Sequence, residues 1–421
     1  MSHPAPASAT AAAPSGPRIL WIAYLAPGAR ASGSPVYSGG LVEALARAGA
    51  RITYLGLRNP DGDGVASGPY GERVVPGLAW TVVDAPLPSV VRALTSPLPV
   101  AAARASPPAM RAALRAALAG EAFDAVVFDN YVAGWALDAV LAAQGGARRL
   151  YIAHNDEARL AADIFADYAG NPLRKLALGA NAHKIRTVEG RLLRAADVLV
   201  TLTEADRDSL SRVRPVPDRL VLPPGYDGPR LAERRFDAAT PRRAVMFGSM
   251  RWIAKQMNVA AFLTRADARF AEAGIELQLI GDAPAAFRAE WEPRLRATRF
   301  LGFVDDAGEA FAAARVGVVP EATGGGFKLK TLDYLFRRLP VIALEGACAG
   351  LPAAVRRHIL ACRDLDDLTG AVIRTIDDLP RLDAMQRGAQ AAAETAFDWD
   401  RNGRRLLDTL SKPTREEHRA A

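Results

Sequence analysis

Cysteine is almost missing from this 421-residue chain: only Cys348 and Cys362 occur, in no ligand-type spacing. Two buried thiols are therefore expected, rather than a disulfide framework or a thiolate metal site, and a reducing compartment fits. Histidine is equally sparse, with five residues that form no cluster of metal spacing, so no metal or other cofactor is expected. No apolar run approaches the roughly 18 residues that a spanning helix requires. The opening residues 1–16 are rich in Ala, Pro, Ser and Thr and lack the basic start and apolar core of a secretory signal. They read as a disordered tail. The expected location is cytoplasmic. Acidic residues fall short of basic ones, 46 against 53, which gives a net charge of +7. That excess admits an anionic partner such as a phosphorylated sugar donor, a nucleic acid or an acidic lipid surface. Arg is spread along the whole chain and no nucleic-acid module is visible, so nucleic acid is not expected as a partner.

What the chain does have is length for about two domains and one rhythm repeated in both halves. Arg18–Tyr24 is a short β-rich apolar run, followed by a loop and a helix pattern from Gly39 that Gly49 is placed to end. Arg51–Leu57 is the next strand, completing a βαβ unit. Further strands are expected at Trp80–Val83, Ala125–Asp129, Arg149–Ala153 and Val198–Leu202. The segment Leu222–Leu231 interrupts the pattern with three prolines and two glycines and reads as a linker. The rhythm restarts at Ala244–Phe247 and continues through Leu277–Ile280, Thr298–Leu301, Val316–Val319 and Val341–Leu344. Two doubly wound α/β domains follow, with ligands expected beyond the carboxyl ends of their strands and in the cleft between them. The expected division is a tail (1–16), a first domain (17–222), a linker (223–242), a second domain (243–395) and a C-terminal helix and tail (396–421).

The most informative stretch is Pro320–Leu344. A buried strand leads into Gly324, Gly325 and Gly326, then into a helix pattern bearing Lys328, Lys330 and Asp333. Glycines allow a ligand to approach the backbone, and free N–H groups at a helix start attract an anion, so a diphosphate suits the place. A plain Gly-rich turn with solvated lysines is the competing reading at this level. His154 follows a strand and should sit at a carboxyl edge, where it could hold a sugar hydroxyl or a phosphate oxygen. Asp129 and Asn130 also end a strand, and Asp129 is a candidate acceptor-side base or a helix cap. Leu173–Arg194 carries six Lys/Arg and one acid, and Ser89–Leu118 is rich in Ala, Val, Leu and Arg. These segments read as solvated helix faces, or as a basic, partly apolar surface for anionic lipid at the inner face of a membrane.

The run Gly326-Phe327-Lys328-Leu329-Lys330-Thr331-Leu332-Asp333-Tyr334-Leu335 resembles the donor-binding segment of glycosyltransferase family 4 (the group 1 glycosyltransferases). Other pieces match that family in order: Gly39-Gly40, His154-Asn155, Ala196-Asp197-Val198, Thr203-Glu204-Ala205-Asp206, Pro224-Gly225-Tyr226-Asp227, Gly248-Ser249-Met250, Ile280-Gly281-Asp282 and Gly302-Phe303-Val304. The resemblance spans about Arg18 to Leu410 and implies a GT-B fold, two Rossmann-like domains facing across a cleft. It implies transfer of a sugar from a nucleotide-diphosphate sugar donor to a glycan, lipid-linked or small-molecule acceptor, without a divalent metal. Lys328 and Lys330 would neutralise the diphosphate, with Arg251 and Lys255 near the family's other basic pair at a shifted spacing. Asp333 would hold the ribose hydroxyls, the backbone at Gly302 and Val304 would face the base, and Gly39 and Gly40 would form the first glycine loop. One departure stands out. The family's usual first Glu falls at Gly325, so the sugar hydroxyls would be held by the backbone of the Gly324–Phe327 turn or by Glu321. A sugar-nucleotide epimerase on the same scaffold and a binding protein without catalysis are the alternatives. A nicotinamide dehydrogenase is disfavoured, because Ala26-Pro27-Gly28-Ala29-Arg30 lacks the required glycine spacing.

Overall fold

The computed structural model describes residues 16–26, 34–58, 75–304, 306–321, 327–348 and 350–412. The first lobe is a seven-stranded sheet in the order β3-β2-β1-β4-β5-β6-β7. Its strands are β1 (Arg18–Leu25), β2 (Arg51–Leu57), β3 (Leu78–Val83), β4 (Ala125–Asp129), β5 (Arg148–Ala153), β6 (Val198–Thr201) and β7 (Asp218–Val221). Every neighbouring pair is parallel. A parallel sheet covered by helices on both faces demands strands that are apolar throughout, and β1, β4, β5 and β6 are buried almost end to end.

Past Val221 the chain makes no regular element until the second sheet, ordered β10-β9-β8-β11-β12-β13. It consists of β8 (Arg243–Phe247), β9 (Glu276–Ile280), β10 (Thr298–Gly302), β11 (Val316–Val319), β12 (Val341–Leu344) and β13 (Leu360–Cys362), again all parallel. Strand order reverses between β1 and β4 in the first sheet and between β8 and β11 in the second. At such a reversal the crossovers leave on opposite sides and open a crevice at the carboxyl ends. The expected strands are all present. Two short ones, β7 and β13, were not anticipated, and both lie at sheet edges. Cys348 and Cys362 are buried free thiols.

One feature departs from expectation. The helix Ser34–Arg47 begins ahead of Gly39, so Gly39 and Gly40 lie inside a helix and are buried rather than forming a glycine loop. The reason lies far along the chain. A side chain at Gly40 would meet the Trp399 ring at 2.4 Å, so the glycine is what lets that ring seat on the helix. Trp399 opens the helix Trp399–Leu410, which returns from the second lobe to pack on Ser34–Arg47. Its ring also fills the space a Cβ at Gly225 would take, and it meets Tyr37 edge-on at 5.6 Å. Arg148 ties the end of this helix down, donating to the Thr409 carbonyl at 2.6 Å and the Lys412 carbonyl at 2.9 Å. Across the lobes, Leu160 and Ile164 of the helix Glu157–Asp167 pack with Ala254 of the helix Ile253–Glu272.

Trp399→Ala should cost about 3–5 kcal/mol, the usual penalty for emptying a buried aromatic site. Urea unfolding followed by circular dichroism measures it, and a loss below about 1 kcal/mol would show that the returning helix contributes little.

Candidate active site

The second lobe builds a cluster of lysines around one acid. Glu321 follows β11, the strand on one side of the crevice, and is almost fully buried. Lys255, from the helix that follows β8 on the other side, donates to Glu321 Oε1 at 2.9 Å. Lys330, the first residue of the helix Lys330–Phe336, donates to the same oxygen. Lys328 stands two residues earlier and interacts electrostatically with Glu321, Lys255 and Lys330. Glu321 Oε2 is buried with no hydrogen-bond partner among the described residues.

The charges in this cluster are unbalanced. Burial works to raise the Glu321 carboxyl, but the Lys330 and Lys255 ammoniums outweigh it and hold the group at about 2. Burial pushes Lys330 down to about 8, with Glu321 resisting, and pushes Lys328 down to about 8 in the same way. Glu321, with weaker help from Asp206 toward Lys328, thus serves three lysines, and below pH 8 the pocket carries surplus positive charge that an anion would neutralise. Glu321, a candidate for holding the sugar, is here the counter-ion of the lysines.

The other residues expected in the donor site are arranged unevenly. Arg251 is mostly exposed and paired with Asp282 rather than with the lysine cluster. Gly248 follows β8 at φ +127°, a backbone conformation that favours glycine, and brings the chain past the Lys330 stem. Gly302 ends β10 at φ +73° with open space in front of it, while Val304 packs partly into the core. Asp333 accepts the Tyr226 hydroxyl at 3.0 Å, and burial raises its carboxyl. Phe327 packs edge-on against Phe397 at 5.5 Å. Gly325 and Gly326 lie outside the described residues.

The first lobe contributes a buried acid–histidine pair. Asp129 ends β4, and His154 follows β5 alongside it. Asp129 Oδ1 lies 2.6 Å from His154 Nε2, and Oδ2 accepts the Trp21 indole N–H at 2.7 Å. Both oxygens are occupied, which suits Asp129 to orienting His154 rather than to acting as a free base. A carboxylate can only accept here, so the neutral ring carries its proton on Nε2 and presents Nδ1 as the acceptor. Tyr37 packs against the His154 ring at 5.3 Å and donates its hydroxyl to the Leu222 carbonyl at 2.9 Å.

Between the lobes lies a cleft of about 460 Å³, at the carboxyl ends of β1 and β4. Asp129, Asn130, Asn155 and Glu157 line it, and Trp252 of the second lobe reaches it from the opposite side. Trp252 was not anticipated, because nothing in its local sequence distinguishes a cleft tryptophan from a core one. Among the described residues no group of three or more His, Cys, Asp or Glu could hold a metal ion.

An anionic ligand such as a nucleotide diphosphate, if held by the lysine cluster, would bind in a pH-dependent way. Lys328 and Lys330 are charged below about 8 and lose their protons as pH rises through it, so affinity for UDP should fall over that range. A bound diphosphate raises both groups again, so binding at pH 8 should take up as much as about one proton. Calorimetry in two buffers of different ionisation enthalpy measures this, and proton release on binding would contradict it.

Comparison with known proteins agrees with this architecture. Residues 32–225 match the glycosyl transferase 4-like domain, and residues 241–378 match glycosyl transferases group 1. No curated protein is matched by sequence. Among solved structures, a sucrose-phosphate synthase from Thermosynechococcus elongatus is 19% identical with a TM-score of 0.68, over 96% of this chain and 100% of that one. WaaG, a glycosyltransferase involved in lipopolysaccharide biosynthesis, is 16% identical with a TM-score of 0.64, over 94% of this chain and 100% of that one. HepE from Anabaena, solved with UDP-glucose, is 14% identical with a TM-score of 0.63, over 94% of this chain and 99% of that one. The chain is a GT-B-fold glycosyltransferase related to family 4, the group 1 glycosyltransferases, and moves a sugar from a nucleotide-diphosphate donor to an acceptor.

Proposed function

We propose that Lys255, Lys328 and Lys330 hold the donor diphosphate, and that the first lobe presents the acceptor from the cleft beneath His154 and Asp129. The observation that carries this reading is the surplus of lysines around the single buried carboxylate of Glu321. In the transfer, the bond from the anomeric carbon to the diphosphate breaks and a bond to the acceptor oxygen forms, while the acceptor proton leaves. Negative charge grows on the departing diphosphate, and ammonium groups already fixed in a buried pocket stabilise it without rearranging. Asp129 sets the tautomer of His154, so that Nδ1 can accept from a sugar hydroxyl.

Lys328→Ala with Lys330→Ala should weaken UDP or ADP affinity by several kcal/mol at most, at about 1.5–3 kcal/mol per charged hydrogen bond. Calorimetry on the folded double variant tests the assignment, and unchanged affinity would reject it. Released nucleotide diphosphate, measured across donors beginning with UDP-glucose and across acceptor classes, tests the transfer itself. Release without transfer to any acceptor would favour the epimerase or binding-protein readings.

A lipid-linked or polysaccharide precursor as acceptor, met by a peripheral protein at the inner face of the membrane, is supported by one surface. No helix among the described residues is long and apolar enough to cross a membrane. The helices Val90–Leu94 and Pro172–Ala195 instead leave apolar side chains in solvent: Val91 is 74% exposed, Leu173 77% and Leu176 72%. Lys184 joins the two segments, donating to the Leu94 carbonyl at 2.9 Å and to that of Ser96. Exposed Arg92 and Arg174 flank the apolar residues. Apolar side chains among cations suit an anionic bilayer surface. The protein should sediment with phosphatidylglycerol vesicles and leave them at high salt. Equal sedimentation with neutral vesicles would count against this surface.

A further inference from the structure

The cleft lined by Asp129, Asn130 and Glu157 differs in chemistry from the lysine cluster of the second lobe. Among its described lining residues are two carboxylates, Asp129 and Glu157, and no Lys or Arg. Among these described residues a phosphate taken out of water would meet like charge and no counter-ion, an expensive arrangement at low dielectric. Aromatic and amide groups dominate instead. Tyr24, Tyr131 and Trp252 contribute ring surface, while Asn130, Asn155 and Glu157 contribute polar atoms. Trp252 is 43% exposed although it is large and apolar, so much of its surface is open to a ligand.

The polar groups are held in place. Glu157 Oε1 accepts from Asn130 Nδ2 at 2.9 Å and from Asn155 Nδ2 at 2.8 Å. No hydrogen bond to Oε2 is present among the described residues. The backbone N–H of Glu157 donates to Glu189 Oε1 at 3.3 Å, and that of Ala158 to Oε2 at 2.9 Å, anchoring the start of the helix. Asn130 adopts φ 69° and ψ 162°, a region open essentially to glycine alone. Its strain, of order 1–3 kcal/mol, is sustained by three hydrogen bonds. Its N–H donates to the Ile152 carbonyl at 2.9 Å, its Oδ1 accepts from Val132 at 3.2 Å, and its Nδ2 reaches Glu157. The structure thus keeps an amide against the cleft wall at a cost that packing alone does not require.

Resting on the donor–acceptor reading above, we propose that this cleft takes an uncharged sugar ring as the acceptor unit. The ring would lie on Trp252, with its hydroxyls on Asn130, Asn155 and Glu157. A pyranose has faces of C–H groups and a rim of hydroxyls. It therefore matches aromatic surface bordered by amide and carboxylate oxygens, in a volume typical of small-molecule sites. A phosphorylated sugar or a glycerol phosphate matches neither the charge nor the rings.

Saturation-transfer NMR with methyl glucopyranosides, galactopyranosides and mannopyranosides tests this on the full chain without requiring turnover. Ring protons of at least one neutral glycoside should receive saturation in the wild type. Trp252→Ala, at an exposed position that tolerates truncation, should weaken that glycoside by about tenfold or more, or ~1.4 kcal/mol. Glu157→Gln should weaken it as well, with the fold checked by circular dichroism. Glucose 6-phosphate and glycerol 3-phosphate should bind more weakly than the neutral glycosides. Tighter binding of the phosphorylated probes, no binding of any neutral glycoside, or unchanged binding by Trp252→Ala would each overturn the proposal. Failure of every nucleotide-sugar donor would instead strike at the transferase reading and leave the glycoside result standing.

Discussion

Three buried or half-buried ammonium groups around one carboxylate set the terms for the second lobe. Such a group of charges is stable only if the backbone holds it rigidly, since each ion gives up its hydration on burial. The sheet provides that rigidity. Lys255 comes from the helix that follows β8, Glu321 from the end of β11, and these strands are neighbours where the strand order reverses. Lys328 and Lys330 arrive on the chain segment that leads from β11 into the next helix. The resulting surplus of positive charge suits an anion, the part proposed above for the donor diphosphate.

The first lobe uses the same topology for a different purpose. Its crevice at the reversal between β1 and β4 holds the Asp129–His154 pair, buttressed by Trp21 on one side and Tyr37 on the other. Tyr37 rests in turn on Trp399, so the Asp129–His154 pair is braced by the last helix of the chain. Buried positive charge is concentrated in the second lobe, whereas the described cleft lining consists of rings, amides, carboxylates and aliphatic groups, with Trp252 reaching it from the second lobe.

Much of this was legible in the sequence because the signals were local. Apolar runs marked the central strands, since a parallel strand buried on both faces leaves no room for polar residues. The edge strands β7 and β13 escaped notice for the opposite reason: Asp218–Val221 and Leu360–Cys362 are short, and their exposed positions dilute the pattern. The glycines before Lys328 and Lys330 drew attention to the pair, and the resemblance of the whole run to a donor-binding segment gave them a role. The partnership of Lys255 with Glu321 was hidden, because 66 residues separate them and only strand order brings them together. Gly40 misled for a similar reason. A glycine pair ordinarily signals a loop, but its use here is set by a tryptophan hundreds of residues away, whose destination no local pattern records.

The return of the C-terminal helix has a mechanical consequence. The chain passes from the first lobe to the second along residues 222–242 and comes back shortly before Trp399. The two crossings lie side by side, since Trp399 packs on Gly225 and the Asn402 amide donates to the Pro223 carbonyl. A single strap can twist freely, whereas two crossings packed together resist twisting more than either would alone. Glycosidic chemistry needs donor and acceptor to meet in one orientation, and a paired crossing favours one relative orientation of the lobes.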